Sequence, residues 1–368
     1  RDVDYYRFEG AEGQWVRLTT NANPNDDPSL VDPVITLYDA NQNQLAESDD
    51  AMPRVSTDSE LITRLPSAGN YFVRVMEFSQ WQEGETPEGS PRFTYELRME
   101  TLRDNRPTVA VAAENGANGT ELVPSGSQRL LLGDFNAPID VDNFTVPLSE
   151  TSPSMSFMIM PSGSDGYGSE QSVTKLEVFD GQDRVLARII QSGTRNSLAP
   201  YLGAGTYRVR LSPVGFRANS NAFYVLKFHR SGGNPQESDD AGNGDVAGAE
   251  DLEMRRSGNY QRGFLGVSLP AGDVDVFAFT ARRGESVAVA CGAANHGTGL
   301  RWLRADVITG QGQILASATE TLQSSIYIRS LQLGLDATYY LRLSSSGQDQ
   351  TLLSDTARCG VHLEDAAP

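Results

Sequence analysis

The chain has 368 residues, enough for two or three domains, and 39% apolar with 21% charged residues is the balance of a folded protein rather than a disordered one. A formal net charge of −18 removes the basic face that nucleic-acid and anionic-lipid binders need. Three His and two Cys exclude most His/Cys metal and redox frameworks, and no apolar run approaches the length of a transmembrane helix, so no membrane insertion is expected.

Taken from the N-terminus, the chain opens on Asp2-Val3-Asp4-Tyr5-Tyr6-Arg7-Phe8. A strand-turn-strand follows at Val34 to Asp39 and Leu45-Ala46. A turn then leads into the strand Gly69-Asn70-Tyr71-Phe72-Val73-Arg74-Val75. The polar insertion Glu77 to Arg92 carries Trp81, and an alternating strand, Phe93 to Met99, closes the unit. The same order returns at Asp140-Val141-Asp142, Leu176 to Asp180, Gly205 to Leu211 and Ala222 to Phe228. It returns again at Asp273-Val274-Asp275, Ala305 to Thr309, Ala337 to Leu343 and Ala357 to Leu363. The openings are 138 residues apart from Asp2 to Asp140 and 133 apart from Asp140 to Asp273. That period is too long for a solenoid and fits tandem globular units.

Within each unit the apolar period is two. Tyr71, Val73 and Val75 share one face, as do Tyr207, Val209 and Leu211. This is the pattern of antiparallel strands packed on one side, and no stretch reads as an amphipathic helix. The expected fold is all-β: three tandem antiparallel β-sandwich, jelly-roll-like domains over 1–103, 104–231 and 232–368. The second and third units carry leaders ahead of their Asp-x-Asp, with Arg129 to Gly133 and Gly263 to Val267 reading as strands. The first starts directly at Asp2, so either the parent chain is longer or processing removed its leader. Ser162 to Ser169 reads as a long flexible hairpin loop, and Glu237 to Asp251 as a solvated linker.

The Asp-Val-Asp-Tyr-Tyr-x-Phe opening resembles the bacterial pre-peptidase C-terminal domain. Asp32-Pro33, Leu37-Tyr38-Asp39, Glu47-Ser48-Asp49-Asp50 and Gly69-Asn70-Tyr71 carry the rest of the resemblance. It is close in residues 1–100, weaker in 130–230 and weakest in 260–365. The family is a β-sandwich module found beside secreted proteases or on large surface proteins, similar to collagenase C-terminal binding domains, and some relatives bind calcium. The resemblance implies a non-catalytic accessory or adhesion role, extracellular, at the cell surface or in the periplasm. It does not fix a ligand.

Asp2, Asp4, Asp49 and Asp50 are the candidate calcium ligands, because calcium takes six to eight oxygens, usually from clustered carboxylates. The other reading is that Asp-x-Asp tightens a turn through backbone hydrogen bonds. Cys291 lies in step with Val287 and Val289, and Cys359 with Val361 and Leu363, so both thiols point inward and a disulfide is expected. His229, His296 and His362 occupy different repeat positions, and no His-Glu-x-x-His or Gly-x-Ser-x-Gly is present, so no enzymatic activity is expected. Trp81 reads either as a stacking residue for a ligand or as a cap on its own core, and Trp15 as either outward-facing or covered by a neighbour. The partners to expect are an extracellular polymer, either glycan or matrix protein, or further domains held apart. The alternative is a structural subunit assembling with itself or another chain.

Overall fold

A computed structural model describes residues 2–22, 31–49, 51, 58–82, 93–102, 113–114, 120–121, 128–135, 137–148, 155–160, 162–171, 173–192, 196–198, 202, 205–215, 222–230, 242–257, 260–321 and 324–365. The first repeat contributes β1 (Val3–Gly10), β2 (Trp15–Asn21), β3 (Pro33–Tyr38), β4 (Gln44–Ser48), β5 (Glu60–Arg64), β6 (Gly69–Glu77), the single-turn helix α1 (Phe78–Trp81) and β7 (Glu96–Leu102). The second contributes β8 (Ala113–Glu114), β9 (Thr120–Glu121), β10 (Gln128–Asp134), β11 (Asp142–Leu148), β12 (Met155–Ile159), β13 (Val173–Phe179), β14 (Val185–Ser192), β15 (Asn196–Leu198), β16 (Gly205–Gly215) and β17 (Phe223–Arg230). The third contributes β18 (Glu250–Asp251), β19 (Arg255–Ser257), β20 (Tyr260–Ser268), β21 (Val274–Ala281), β22 (Ser286–Gly292), β23 (Leu300–Thr309), β24 (Ile314–Thr319), β25 (Ile326–Gln332), β26 (Ala337–Gln348) and β27 (Thr356–Glu364).

These strands form six sheets, ordered β1-β6-β3-β4, β5-β2-β7, β14-β13-β16-β11-β8, β10-β17-β12-β15, β18-β21-β26-β23-β24 and β19-β20-β27-β22-β25. The all-β sandwich architecture therefore holds. The boundaries expected at 103/104 and 231/232 lie outside the described residues. The repeat sets the register. Asp4 pairs with Val75, Asp142 with Leu211 and Asp275 with Leu343, all at matching repeat positions.

Inward side chains at every second position build three buried cores. The third repeat has its own, from Leu265 and Val267 on β20 through to Val361 and Leu363 on β27. Across it, Cys291 of β22 and Cys359 of β27 sit directly opposite with Cα atoms 4.1 Å apart and form the expected disulfide. Both sulfurs are buried.

Three local expectations change. The closing strand of the first repeat runs Glu96–Leu102 rather than Phe93 to Met99, because pairing with β2 places Leu102 opposite Trp15 and Asn21 opposite Glu96. The closing strand of the second repeat, expected to end at Phe228, runs to Arg230, so His229 falls inside β17. The glycine-rich stretch in the supposed linker belongs to the fold: Asn243 is buried, its carbonyl accepts from Val276 N, and β18 lies parallel to β21.

Replacing both Cys291 and Cys359 with Ala should lower the stability of the third repeat by about 2–4 kcal/mol. Urea unfolding followed by hydrogen exchange on β22 and β27 reads this, and an unchanged opening energy would contradict a stabilising role for the bridge.

Candidate functional site

β17 is buried on both faces, which is unusual for an antiparallel strand. Tyr224, Leu226 and Phe228 enter the core of the second repeat. Val225 and Phe223, on the opposite face, join the core of the first, together with Leu132, Met158 and Met160. The outer face of the second repeat's four-stranded sheet is thus the floor beneath β2 and β5. Trp15 stands edge-on to Phe223 with ring centroids 4.8 Å apart, so it is covered by its neighbour.

Lys227 continues the Phe223 and Val225 face and is fully buried. An ammonium has three donors, and all three are filled. Nζ lies 2.6 Å from Glu60 Oε2, 2.7 Å from the Ala51 carbonyl and 2.8 Å from Tyr167 Oη. The other Glu60 oxygen accepts from Arg17 Nη2 at 2.5 Å and Nε at 2.7 Å. The Tyr167 hydroxyl donates in turn to the Glu60 carbonyl. Burial would raise the Glu60 carboxyl, but Lys227 and then Arg17 outweigh it and hold the carboxyl below its ordinary range.

The loop around Tyr167 is seated rather than a free hairpin. Glu47 N donates to the Gly166 carbonyl at 2.7 Å, and Gln44 Nε2 to the Ser164 carbonyl at 3.0 Å. Gly168 has φ +79°, and a Cβ there would stand 2.8 Å from Thr63 Oγ1 and 2.9 Å from the Leu45 carbonyl, so the close approach requires glycine. The second and third repeats are also tied. Arg188 N donates to the Gly297 carbonyl, and Leu353 N and Ser354 N donate to the carbonyls of Val185 and Leu186.

The outward face of the sheet β1-β6-β3-β4 carries an aromatic platform. Register puts Tyr5 opposite Arg74, Arg7 opposite Phe72, and Tyr38 opposite Phe72 on one side of the sheet. Tyr5 is 62% exposed, and the Arg74 guanidinium lies 5.4 Å from the centre of the Tyr38 ring. Arg74 Nη2 is 3.0 Å from Thr36 Oγ1 and 3.7 Å from Glu47 Oε2. The same arginine position in the later repeats meets an acid directly: Arg210 binds Glu177 at 2.6 Å and Arg342 binds Asp306 at 2.5 Å.

Of the residues expected to hold calcium, Asp4 accepts from Tyr95 Oη at 2.6 Å, and that hydroxyl also bonds Tyr6 Oη at 2.9 Å. Burial and then the Asp4 hydrogen bond push the Tyr95 hydroxyl far above its ordinary range, so it stays a donor. Asp142 likewise accepts from Tyr224 Oη, at 2.8 Å. Asp2 is exposed at the start of the described chain, the Asp49 carbonyl accepts from Ser59 Oγ, and Asp50 lies outside the described residues. Among the described residues no group of three or more His, Cys, Asp or Glu is placed to hold a metal ion. Trp81 ends α1, half-buried, with its ring 5.6 Å from that of Phe78, whose amide donates to the Asp32 carbonyl beside β3. His296 is buried, and His362 is held below its ordinary range by burial and by Arg262.

Sequence reasoning missed Glu60, Lys227 and Tyr167. A signal was present: Phe223 to Phe228 is apolar on both faces except at Lys227, which marks a doubly buried strand with one charge needing a partner.

The fold and these surfaces define an all-β sandwich protein. Residues 2–76 match the model of the bacterial pre-peptidase C-terminal domain, a span from β1 into β6. No curated protein matches the chain. Among solved structures, the periplasmic g-type lysozyme inhibitor PliG of Salmonella Typhimurium is 17% identical, with 31% of this chain and 94% of that one covered and a TM-score of 0.20. The tandem CBM51 modules of the family 98 glycoside hydrolase of Streptococcus pneumoniae are 8% identical, with 65% and 84% covered and a TM-score of 0.22. Likeness at that level carries no argument about what this chain binds.

Glu60→Gln should cost about 3 kcal/mol at pH 7, because it leaves Lys227 buried without its counter-charge. The folded carboxyl titrates below the unfolded one, whose pKa is about 4.3, so its contribution is full above that value and lost as pH falls through the folded value. Acid-unfolding curves of both proteins test this. They should converge as the pH drops, and curves that stay parallel would contradict the sign.

Proposed function

We propose that this chain is a non-catalytic accessory module working outside the cytoplasm, which grips an extracellular polymer on the aromatic platform of its first repeat. The observation that carries the reading is Tyr5 standing exposed opposite Arg74, with Tyr38 and Phe72 on the same outward sheet face. Aromatic rings offer apolar faces to sugar rings or matrix side chains, and a few such rings dominate many interfaces. Arg7, exposed on the edge strand β1, adds hydrogen-bond donors at the rim. The disulfide supports an oxidising compartment, since such bridges are rare in cytosolic proteins. The family match over residues 2–76 supports an accessory role.

Arg74, at the centre of the platform, is held by Thr36 Oγ1 and Glu47. The packed junction beneath the first repeat supports a second property of the same module: it holds the platform at a set angle to the second repeat, as a spacer would.

Glycan and matrix-protein arrays probed with wild type and with Tyr5→Ala test the proposal. Loss of an anchoring ring should weaken binding by roughly tenfold to thirtyfold while leaving the unfolding transition in place. Equal binding by the variant, or no binding by wild type to any polymer, would overturn it.

A further inference from the structure

Among the described residues, Gln42 and Asp183 have positive φ in the hairpin turns between β3 and β4 and between β13 and β14, where that backbone is ordinary. Trp302 has φ +59° inside a strand. β23 keeps one register with β26 from Leu300 opposite Gln348 to Thr309 opposite Tyr339, and the pair Trp302 and Ser346 is the one missing from that ladder. The left-handed region suits glycine and strains a bulky residue. Packing does not account for the strain. The core of the third repeat takes Leu300, Leu303, Ala305 and Val307 from β23, whereas Trp302 is 48% exposed. Among the described residues the indole N–H has no acceptor, and no ring or cation stacks on it.

The ring lies beside a paired charge. A Cβ on Gly347 would stand 3.4 Å from Trp302 Cδ1 and 3.3 Å from Arg301 Cβ, so the indole lies on the side of the ladder that holds Arg301, next to the space Gly347 leaves. Arg301 Nη2 donates to Asp349 Oδ2 at 2.7 Å, and its Nη1 to the Thr298 and Leu300 carbonyls at 2.9 Å each. Asp349 Oδ1 accepts from Thr351 N at 2.9 Å and from Thr351 Oγ1 at 2.7 Å. Thr351 and then Arg301 hold the Asp349 carboxyl below its ordinary range, so it stays a charged acceptor. The facing stretch from Ser344 to Thr351 reads Ser-Ser-Ser-Gly-Gln-Asp-Gln-Thr and brings no apolar side chain to the ring.

We propose that Trp302 is the stacking residue of a ligand site on the third repeat, and that the site takes a neutral glycan. One sugar ring lies with its C–H face on the open indole, and its hydroxyls bond the Asp349 carboxylate and the indole N–H. Each carboxylate oxygen has a lone pair left for a hydroxyl donor, and the indole is a donor only, so a group that both donates and accepts suits the pair. An acidic sugar fits less well, because Arg301 is already matched by Asp349 and the chain carries a net charge of −18. A peptide anchored by apolar side chains would need a second apolar neighbour, and the surroundings of the ring are polar. Strain held at one exposed side chain is the mark of a positioned functional group. The site lies apart from the aromatic platform of the first repeat and does not rest on it.

Calorimetric titration of the full chain with hexasaccharides of β-1,4-linked glucose, xylose and mannose tests this, with trigalacturonate as the acidic control and a proline-rich peptide as the polypeptide control. At least one neutral hexasaccharide should bind one to one, and neither control should. Trp302→Gly should weaken that binding by about tenfold or more. Its unfolding midpoint should hold or rise, because glycine accepts the left-handed backbone. Asp349→Asn should weaken binding by about tenfold, and Trp302→Phe should fall between wild type and Trp302→Gly. Tyr5→Ala should bind the hexasaccharide as wild type does, which separates this site from the platform. Equal binding by Trp302→Gly, or a midpoint lowered by that change, would overturn the site. So would tighter binding of either control, loss of the sugar in Tyr5→Ala alone, or no binding of any hexasaccharide at millimolar concentration.

Discussion

A buried lysine with every donor filled decides how the first two repeats sit together. Lys227 lies on a sheet face with the buried apolar residues Leu132, Met158, Phe223 and Val225. Desolvating an ammonium costs several kcal/mol, and only a well-shaped set of partners offsets that. Glu60, the Ala51 carbonyl and Tyr167 provide that set in one arrangement of the two repeats. Sliding one sheet across the other would part Lys227 and Tyr167 of the second repeat from Glu60 of the first and leave the ammonium buried without a counter-charge. The apolar floor supplies the driving force for association, and the ion pair selects one geometry from the many that an apolar face would tolerate.

The same economy of charge recurs on the outward faces. The third inward-to-outward step of each Tyr strand is an arginine: Arg74, Arg210 or Arg342. In two repeats its acid lies on the neighbouring strand directly opposite. In the first that place is taken by Thr36, and Glu47 on the next strand takes over at a longer distance. Arg74 lies over Tyr38 as the acid-paired Arg210 lies over Phe179, so this stacking is common to both repeats.

Much of the fold was legible in the residues. Period-two alternation in Tyr71 to Val75 and its two counterparts specified strands and their inward faces, and the Asp-x-Asp spacing fixed equivalent registers. The inward phase of Cys291 and Cys359 was enough to pair them. The junction was less legible, because Glu60 and Lys227 are 167 residues apart and each looks like an ordinary surface charge in its own strand. Tyr167 sat in a run of Gly and Ser whose local chemistry favours a mobile loop, and only tertiary packing against Thr63 and Leu45 fixes it. The closing strand near Tyr95 alternates cleanly over a longer stretch than it pairs, so periodicity alone could not set its ends; pairing with β2 does.

If the junction is the governing constraint, the first two repeats should open together. Native-state hydrogen exchange compared between Val16 and Leu18 of β2 and Val225 and Leu226 of β17 tests this most directly. The account predicts one shared opening free energy for both strands, lowered in both by the same amount when Lys227 is replaced by Met. A first repeat that opens independently, with β17 unaffected, would contradict it.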